Sequence, residues 1–151
     1  MIEVKKNNVF LNEEVNACLN NIIKKKSFAN GYIFYGAEGL GKKQTALLFI
    51  EEILKQFSTS GNIKEKIISN NHPDYLIIEP TSLLESKRSK SDDLEKTTTK
   101  NISEIIKIAQ IRNVKNFLAR KSINSEKKIV LIINAHLLNE AASNCLLKTL
   151  E

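Results

Sequence analysis

Gly36-Ala37-Glu38-Gly39-Leu40-Gly41-Lys42-Lys43 lies between the apolar run Tyr32-Ile33-Phe34-Tyr35 and the helix-patterned Gln44-Thr45-Ala46-Leu47-Leu48-Phe49-Ile50. Strand, glycine-rich loop and helix start are the context that a phosphate-cradling P-loop requires. Glycines let the backbone turn sharply and aim successive N–H groups into one concavity, to which the helix N-terminus adds positive potential. Gly36, Gly39, Gly41 and Lys42 are therefore the candidate phosphate-binding residues, with Lys42 reaching for the outer phosphates. The next position in such loops holds Ser or Thr, whose hydroxyl binds the Mg²⁺ that accompanies a nucleotide. Here it is Lys43. An ammonium cannot ligate a cation and repels one, so the loop keeps its form and loses part of its chemistry.

Working outward, 151 residues make one domain or a piece of one, long enough to bury a core. An apolar content of 42% without a long uninterrupted apolar run excludes a transmembrane span and points to a globular chain. No apolar signal core follows Met1, which points away from export and towards the cytoplasm. Cys18 and Cys145 are far apart, each among helix-spaced apolar residues, and read as small buried thiols in a reducing compartment. The net charge of +6 admits a polyanion partner, but 26% of the chain is charged and both signs are scattered. No basic run is interleaved with aromatics, so nucleic-acid contact by this chain alone is not indicated. Lys24-Lys25-Lys26 reads as the solvated, dipole-compensating end of a helix.

Leu11, Val15, Leu19, Ile22 and Ile23 recur at helical spacing behind a capping Asn12, which predicts a helix near residues 12–26. Gly31 releases the chain into a first strand, Tyr32 to Tyr35. After the loop, Ala46, Leu47, Ile50, Ile53, Leu54 and Phe57 predict a helix packed back onto that strand, ending near residues 58–61. A short helix around Ile63 to Ile68 leads to Asn70-Asn71-His72-Pro73-Asp74; Pro73 biases His72 away from helix, and Tyr75-Leu76-Ile77-Ile78 is a second strand. Residues 80–101 are polar, with many Ser, Thr and Lys residues, and read as a mobile surface loop. An extended lead-in at Ile105 to Ile108 and a helix to about Lys121 follow. The third strand, Ile129-Val130-Leu131-Ile132-Ile133, is β-branched almost throughout, as expected where both sheet faces are covered. Asn139 caps a last helix with Ala142, Cys145, Leu146 and Leu150 on its buried side.

Alternating strands and helices give an α/β fold, a P-loop three-layer α/β/α arrangement with a mainly parallel sheet and right-handed crossovers. In a hydrolysing P-loop protein an acidic residue near the end of the third strand holds Mg²⁺ and a neighbour positions the attacking water. This strand ends Ile132-Ile133-Asn134-Ala135-His136, without a carboxylate. His136, a lone histidine after a strand, reads as a structural hydrogen-bonder.

His72-Pro73-Asp74-Tyr75, Ile106-Lys107-Ile108-Ala109-Gln110-Ile111-Arg112, the stretch from Lys128 to His136, and Asn144-Cys145-Leu146-Leu147-Lys148-Thr149-Leu150-Glu151 resemble successive signatures of the bacterial DNA polymerase III clamp loader, in particular its delta-prime family. The closing Asn-x-Leu-Leu-Lys-Thr-Leu-Glu is the most specific match and is shared with the tau/gamma ATPase subunits. The resemblance implies an AAA+ module, one of five subunits in a hetero-oligomeric ring with delta and tau/gamma. That ring opens the sliding clamp and places it on primed DNA during replication. Delta-prime is its rigid, non-hydrolysing member, and no membrane is involved. Family members continue past this ending into further strands, a lid and a helical collar. By resemblance, residues 1–151 are thus the N-terminal part of an AAA+ ATPase-like domain, with lid and collar absent, an incomplete sheet and poor independent stability.

Aligned on His136 and the closing Leu-Leu-Lys, Ile133 falls where tau/gamma subunits have the Mg²⁺-binding Asp, and Asn134 where they have the catalytic Glu. With Lys43, three parts of the hydrolytic machinery are missing, and no intrinsic ATPase activity is expected, although the holoenzyme as a whole is a DNA-directed polymerase. No cofactor is required. Backbone amides bind phosphate without metal, so residual ATP or ADP binding through Gly36, Gly39, Gly41 and Lys42 stays open. The family's four-cysteine module has no counterpart in residues 55–71, so no zinc is expected. Two alternatives remain: an active tau/gamma-like ATPase, and a DNA-binding AAA+ module.

Overall fold

The computed structural model describes residues 12–58, 61–82 and 104–150. The chain divides into two compact units, Met1–Tyr75 with Ser122–Ile129, and Leu76–Lys121 with Val130–Glu151. No helix among the described residues is long and apolar enough to cross a membrane.

The first unit is built on α1 (Glu13–Lys25), α2 (Lys42–Phe57) and α3 (Ile63–Ile68). α1 starts where predicted because the Asn12 side chain accepts the Glu14 N–H at 2.9 Å. Glu13 and Glu14 in its first turn and Lys24 and Lys25 in its last complement the helix dipole. Lys26, left-handed at φ 51°, ends it by donating its N–H to Ile23 O. Ile23 packs against Phe49 and Ile53 of α2, with Leu19, Ile22, Phe28, Phe34 and Phe57 around them. Cys18 is exposed, contrary to the buried thiol expected, because the face of α1 turned to α2 is the one carrying Leu19, Ile22 and Ile23.

The predicted first strand is the larger correction. Residues 32–35 form no ladder among the described residues. Their side chains nonetheless alternate: Tyr32 and Phe34 set their rings edge-on to Phe49, at centroid distances of 5.2 and 6.4 Å, while Ile33 and Tyr35 are 89% and 91% exposed. The apolar pattern was strand-like, but a strand also needs a hydrogen-bonding neighbour, and one face packed on a helix does not supply it.

β1 (Tyr75–Ile78) and β4 (Ile129–Ile132) form a two-stranded sheet. Ile129 N–H donates to Asp74 O and Ile133 N–H to Ile78 O, both at 2.9 Å. Both strands advance together between these bonds, which is the parallel arrangement expected. All four residues of β4 are only half-buried, so the double-faced cover inferred from their β-branching is not complete.

In the second unit Ile78, Ile106, Ile111, Val114 and Ala142 form a core on which Leu76, Val130, Ile132, Leu137, Leu138, Cys145 and Leu146 pack. They come from β1, β4, α4 (Ile108–Ala119), α5 (Glu140–Leu150), the turn before α5 and, for Ile106, the extended segment just before α4. Asn139 Oδ1 accepts the Ala142 N–H at 2.8 Å, the predicted cap. Leu150, expected on the buried side, is 51% exposed. One short strand went unread: β2 (Thr81–Ser82) pairs antiparallel with β3 (Glu104–Ile105), Thr81 opposite Ile105, and β3 overlaps the extended lead-in expected from Ile105. A two-residue strand carries no periodicity, so the polar stretch from residue 80 gave no sign of β2. The rest of that predicted loop lies outside the described residues.

Candidate functional site

The glycine loop has the backbone its sequence demands. Gly36, Gly39 and Gly41 stand at φ 142°, 79° and 72°, values that side-chain-bearing residues rarely adopt. Gly41 is the residue before α2, and no side chain caps the helix there. Lys42 opens α2, and its Nζ donates to the carbonyls of Gly36 at 2.8 Å and Ala37 at 2.6 Å. The loop is thus closed on its own lysine. Thr45, buried one turn further on, donates its hydroxyl to Gly41 O at 3.0 Å and fixes the last glycine. Of the four candidate residues, Lys42 bonds the carbonyl of Gly36, and Gly39 and Gly41 turn the backbone between them. Lys43 is exposed in the first turn, which contains no acidic residue.

Ile133 and Asn134 belong to the second unit. Ile133 is half-buried at the end of β4 and its N–H is taken by Ile78 O. Asn134 is left-handed, at φ 51° and ψ 51°, and its carbonyl accepts the Leu137 N–H at 2.8 Å to start the 3-10 turn Ala135–Leu137. Asn is among the few residues that adopt this conformation readily, so here it serves the backbone. His136 is exposed on the same turn. Among the described residues no group of three or more His, Cys, Asp or Glu side chains is placed to hold a metal.

The buried, hydrogen-bonded histidine is His72. It is 3% exposed, and its Nδ1 accepts the Asp74 N–H at 3.1 Å, closing the turn on Pro73. Asp74 is fully buried. Its Oδ1 accepts the Ile123 N–H at 2.7 Å, and its Oδ2 accepts the N–H groups of Asn124 at 2.6 Å and Ser125 at 2.8 Å. The Ser125 hydroxyl is shared between Oδ2 at 3.2 Å and Lys127 O at 2.6 Å. Burial by itself would raise the Asp74 pKa, but the three amides and the hydroxyl outweigh it and hold the carboxyl below its ordinary value. Burial pushes the His72 pKa down; the Asp74 charge pulls it up and Lys66 of α3 pushes it down, for a net lowering. Although His, Asp and Ser meet here, His72 bonds the backbone of Asp74 and not Ser125, so the relay of a nucleophilic triad is not assembled. The sequence reading used these residues as a turn and a signature and missed their joint role. The available signal was an Asp directly before an apolar strand, where a buried carboxylate must find several donors.

A family model described as DNA polymerase III, delta subunit, matches residues 11–151. The chain belongs to that family. The AAA+ P-loop type of fold goes with it, in agreement with the mixed α/β architecture and the parallel pair β1–β4. Over 149 residues the chain is 28% identical to the DNA polymerase III subunit delta' of Bacillus subtilis (strain 168), an overlap of 93% of this chain and 38% of that protein. It is 28% identical over 129 residues to the subunit delta' of Pseudomonas aeruginosa, covering 82% of this chain and 34% of that protein. The chain thus spans little more than a third of the length of these curated relatives. No solved structure matches it significantly.

Proposed function

We propose that this chain is the ATPase-like N-terminal portion of a delta-prime-type subunit of the DNA polymerase III clamp loader, a scaffold that does not hydrolyse ATP. In this reading it acts within a hetero-oligomeric ring with delta and tau/gamma, meets primed DNA and the sliding clamp through that assembly, and works in the cytoplasm. Two relatives named as delta' subunits support the assignment. The observation that carries the non-hydrolysing part is Lys43 directly after Lys42. Transfer of a phosphoryl group relies on Mg²⁺ and fixed cations to neutralise charge that develops on its oxygens. An ammonium in the metal-ligand position opposes that, and Ile133 and Asn134 provide no carboxylate in compensation. Residual binding of ATP or ADP at Gly36, Gly39, Gly41 and Lys42 belongs to the same proposal: a phosphate must draw the Lys42 ammonium away from two carbonyls, which weakens the site without removing its amides. Steady-state phosphate release by the purified chain with ATP and Mg²⁺ tests the reading. Release no faster than in a protein-free control is expected, and sustained turnover that Lys42→Ala abolishes would overturn it.

A further inference from the structure

The His72–Asp74 junction has a chemical asymmetry that the scaffold role does not use. Because Nδ1 of His72 accepts the Asp74 N–H, the neutral ring carries its proton on Nε2. Nε2 is buried and has no hydrogen-bond partner among the described residues. The neutral ring therefore satisfies the Asp74 amide and already tolerates one buried, unpaired N–H. Protonation at Nδ1 changes three things at once. The ring gains a second N–H without an acceptor, the Asp74 amide loses its acceptor, and a full positive charge is placed in a site that is 3% exposed. Against this stands attraction to the Asp74 carboxylate, whose oxygens are already occupied by the Ile123, Asn124 and Ser125 amides. The other charged group acting on the ring is Lys66 of α3, which opposes protonation.

We propose that His72 and Asp74 form an acid-sensitive latch: neutral His72 holds the Asp74 backbone so that its carboxylate gathers the amides of residues 123–125, and protonation of His72 releases that segment from the start of β1. Asp74 is the residue directly before β1, and its O accepts the N–H of Ile129, the first residue of β4, at 2.9 Å. The latch has two stages of opposite chemistry. A histidine whose pKa is lower folded than unfolded takes up a proton on unfolding. Its contribution is complete above the unfolded value of about 6.5 and falls as pH drops from there towards the folded value. Asp74, also lowered, keeps its contribution above its ordinary value of 3.8 and loses it as pH falls further. Mild acid opens the histidine stage first, and strong acid the carboxylate stage.

His72→Asn tests the first stage, because Asn Oδ1 can accept the Asp74 N–H in place of Nδ1 and does not titrate. In the wild-type chain the unfolding equilibrium constant should rise with falling pH from about 6.5, by up to about tenfold per pH unit for the single proton taken up. In His72→Asn that part of the slope should vanish. Ring NMR follows the same proton in the wild-type chain, which has two histidines. The His72 ring should titrate below the ordinary histidine value of about 6.5, with the Asp74 amide shift moving at the same midpoint. This second measurement needs only wild-type protein and decides the matter even if the variant does not fold. A His72 ring that titrates at or above about 6.5, or a variant that keeps the wild-type slope, would overturn the latch.

Discussion

The glycine loop and the His-Pro-Asp junction solve one problem with opposite signs. In the loop an ammonium, Lys42 Nζ, is held by two carbonyls at the surface; in the junction a carboxylate, Asp74, is held by three amides and a hydroxyl where no solvent reaches. Charge-assisted hydrogen bonds to backbone are the currency of both. What differs is what replaces them when they break. At the loop, water or an anion can take over at once, so the arrangement is exchangeable and suited to the remains of a ligand site. At the junction nothing replaces them, so the same kind of bond becomes structural.

The comparison is sharpest where the difference in cost is largest. Asp74→Ala should destabilise the chain by about 3 kcal/mol or more, because three amides lose their acceptor in a buried place. Urea unfolding measures this, and a loss below about 1 kcal/mol would erase the distinction between the two regions. Ser125→Ala, which removes the hydroxyl and leaves the amides paired, should cost about 1 kcal/mol in the same assay. Lys42→Met should be the mildest, below about 1 kcal/mol globally, since an exposed charge is screened and rehydrated when its partners go. Its effect should instead be local: faster hydrogen exchange at the amides of residues 36–41, with exchange in α1 and α3 unchanged. A global loss as large as that of Asp74→Ala would show that the loop is as structural as the junction.

Much of the fold could be read in advance where a pattern and a cap agreed. Asn12 and Asn139 both bond the amides predicted for them, and α1, α3, β1 and α5 begin at or within a residue of the expected places. The glycine loop was legible because glycine spacing encodes backbone conformation directly, and Gly36, Gly39 and Gly41 all take positive φ. Residues 32–35 show the limit of pattern: alternation appears, with Tyr32 and Phe34 on Phe49, but a ladder depends on a neighbour that local sequence does not specify. Asp74 shows another limit. Its partners at residues 123–125 are about fifty positions away, a separation no local spacing rule spans. Lys42 was read as a group reaching outward for phosphate, whereas it bonds back onto the carbonyls of its own loop, which a one-dimensional motif does not disclose.

The central claim is that a phosphate loop has been kept while the means of seating a divalent ion beside it has been lost. Titration of the purified chain with a fluorescent ATP analogue, with Mg²⁺ and again with a chelator, tests it most directly. The account predicts weak or absent binding whose strength does not increase when Mg²⁺ is supplied. Tight binding that appears only with Mg²⁺ would contradict it.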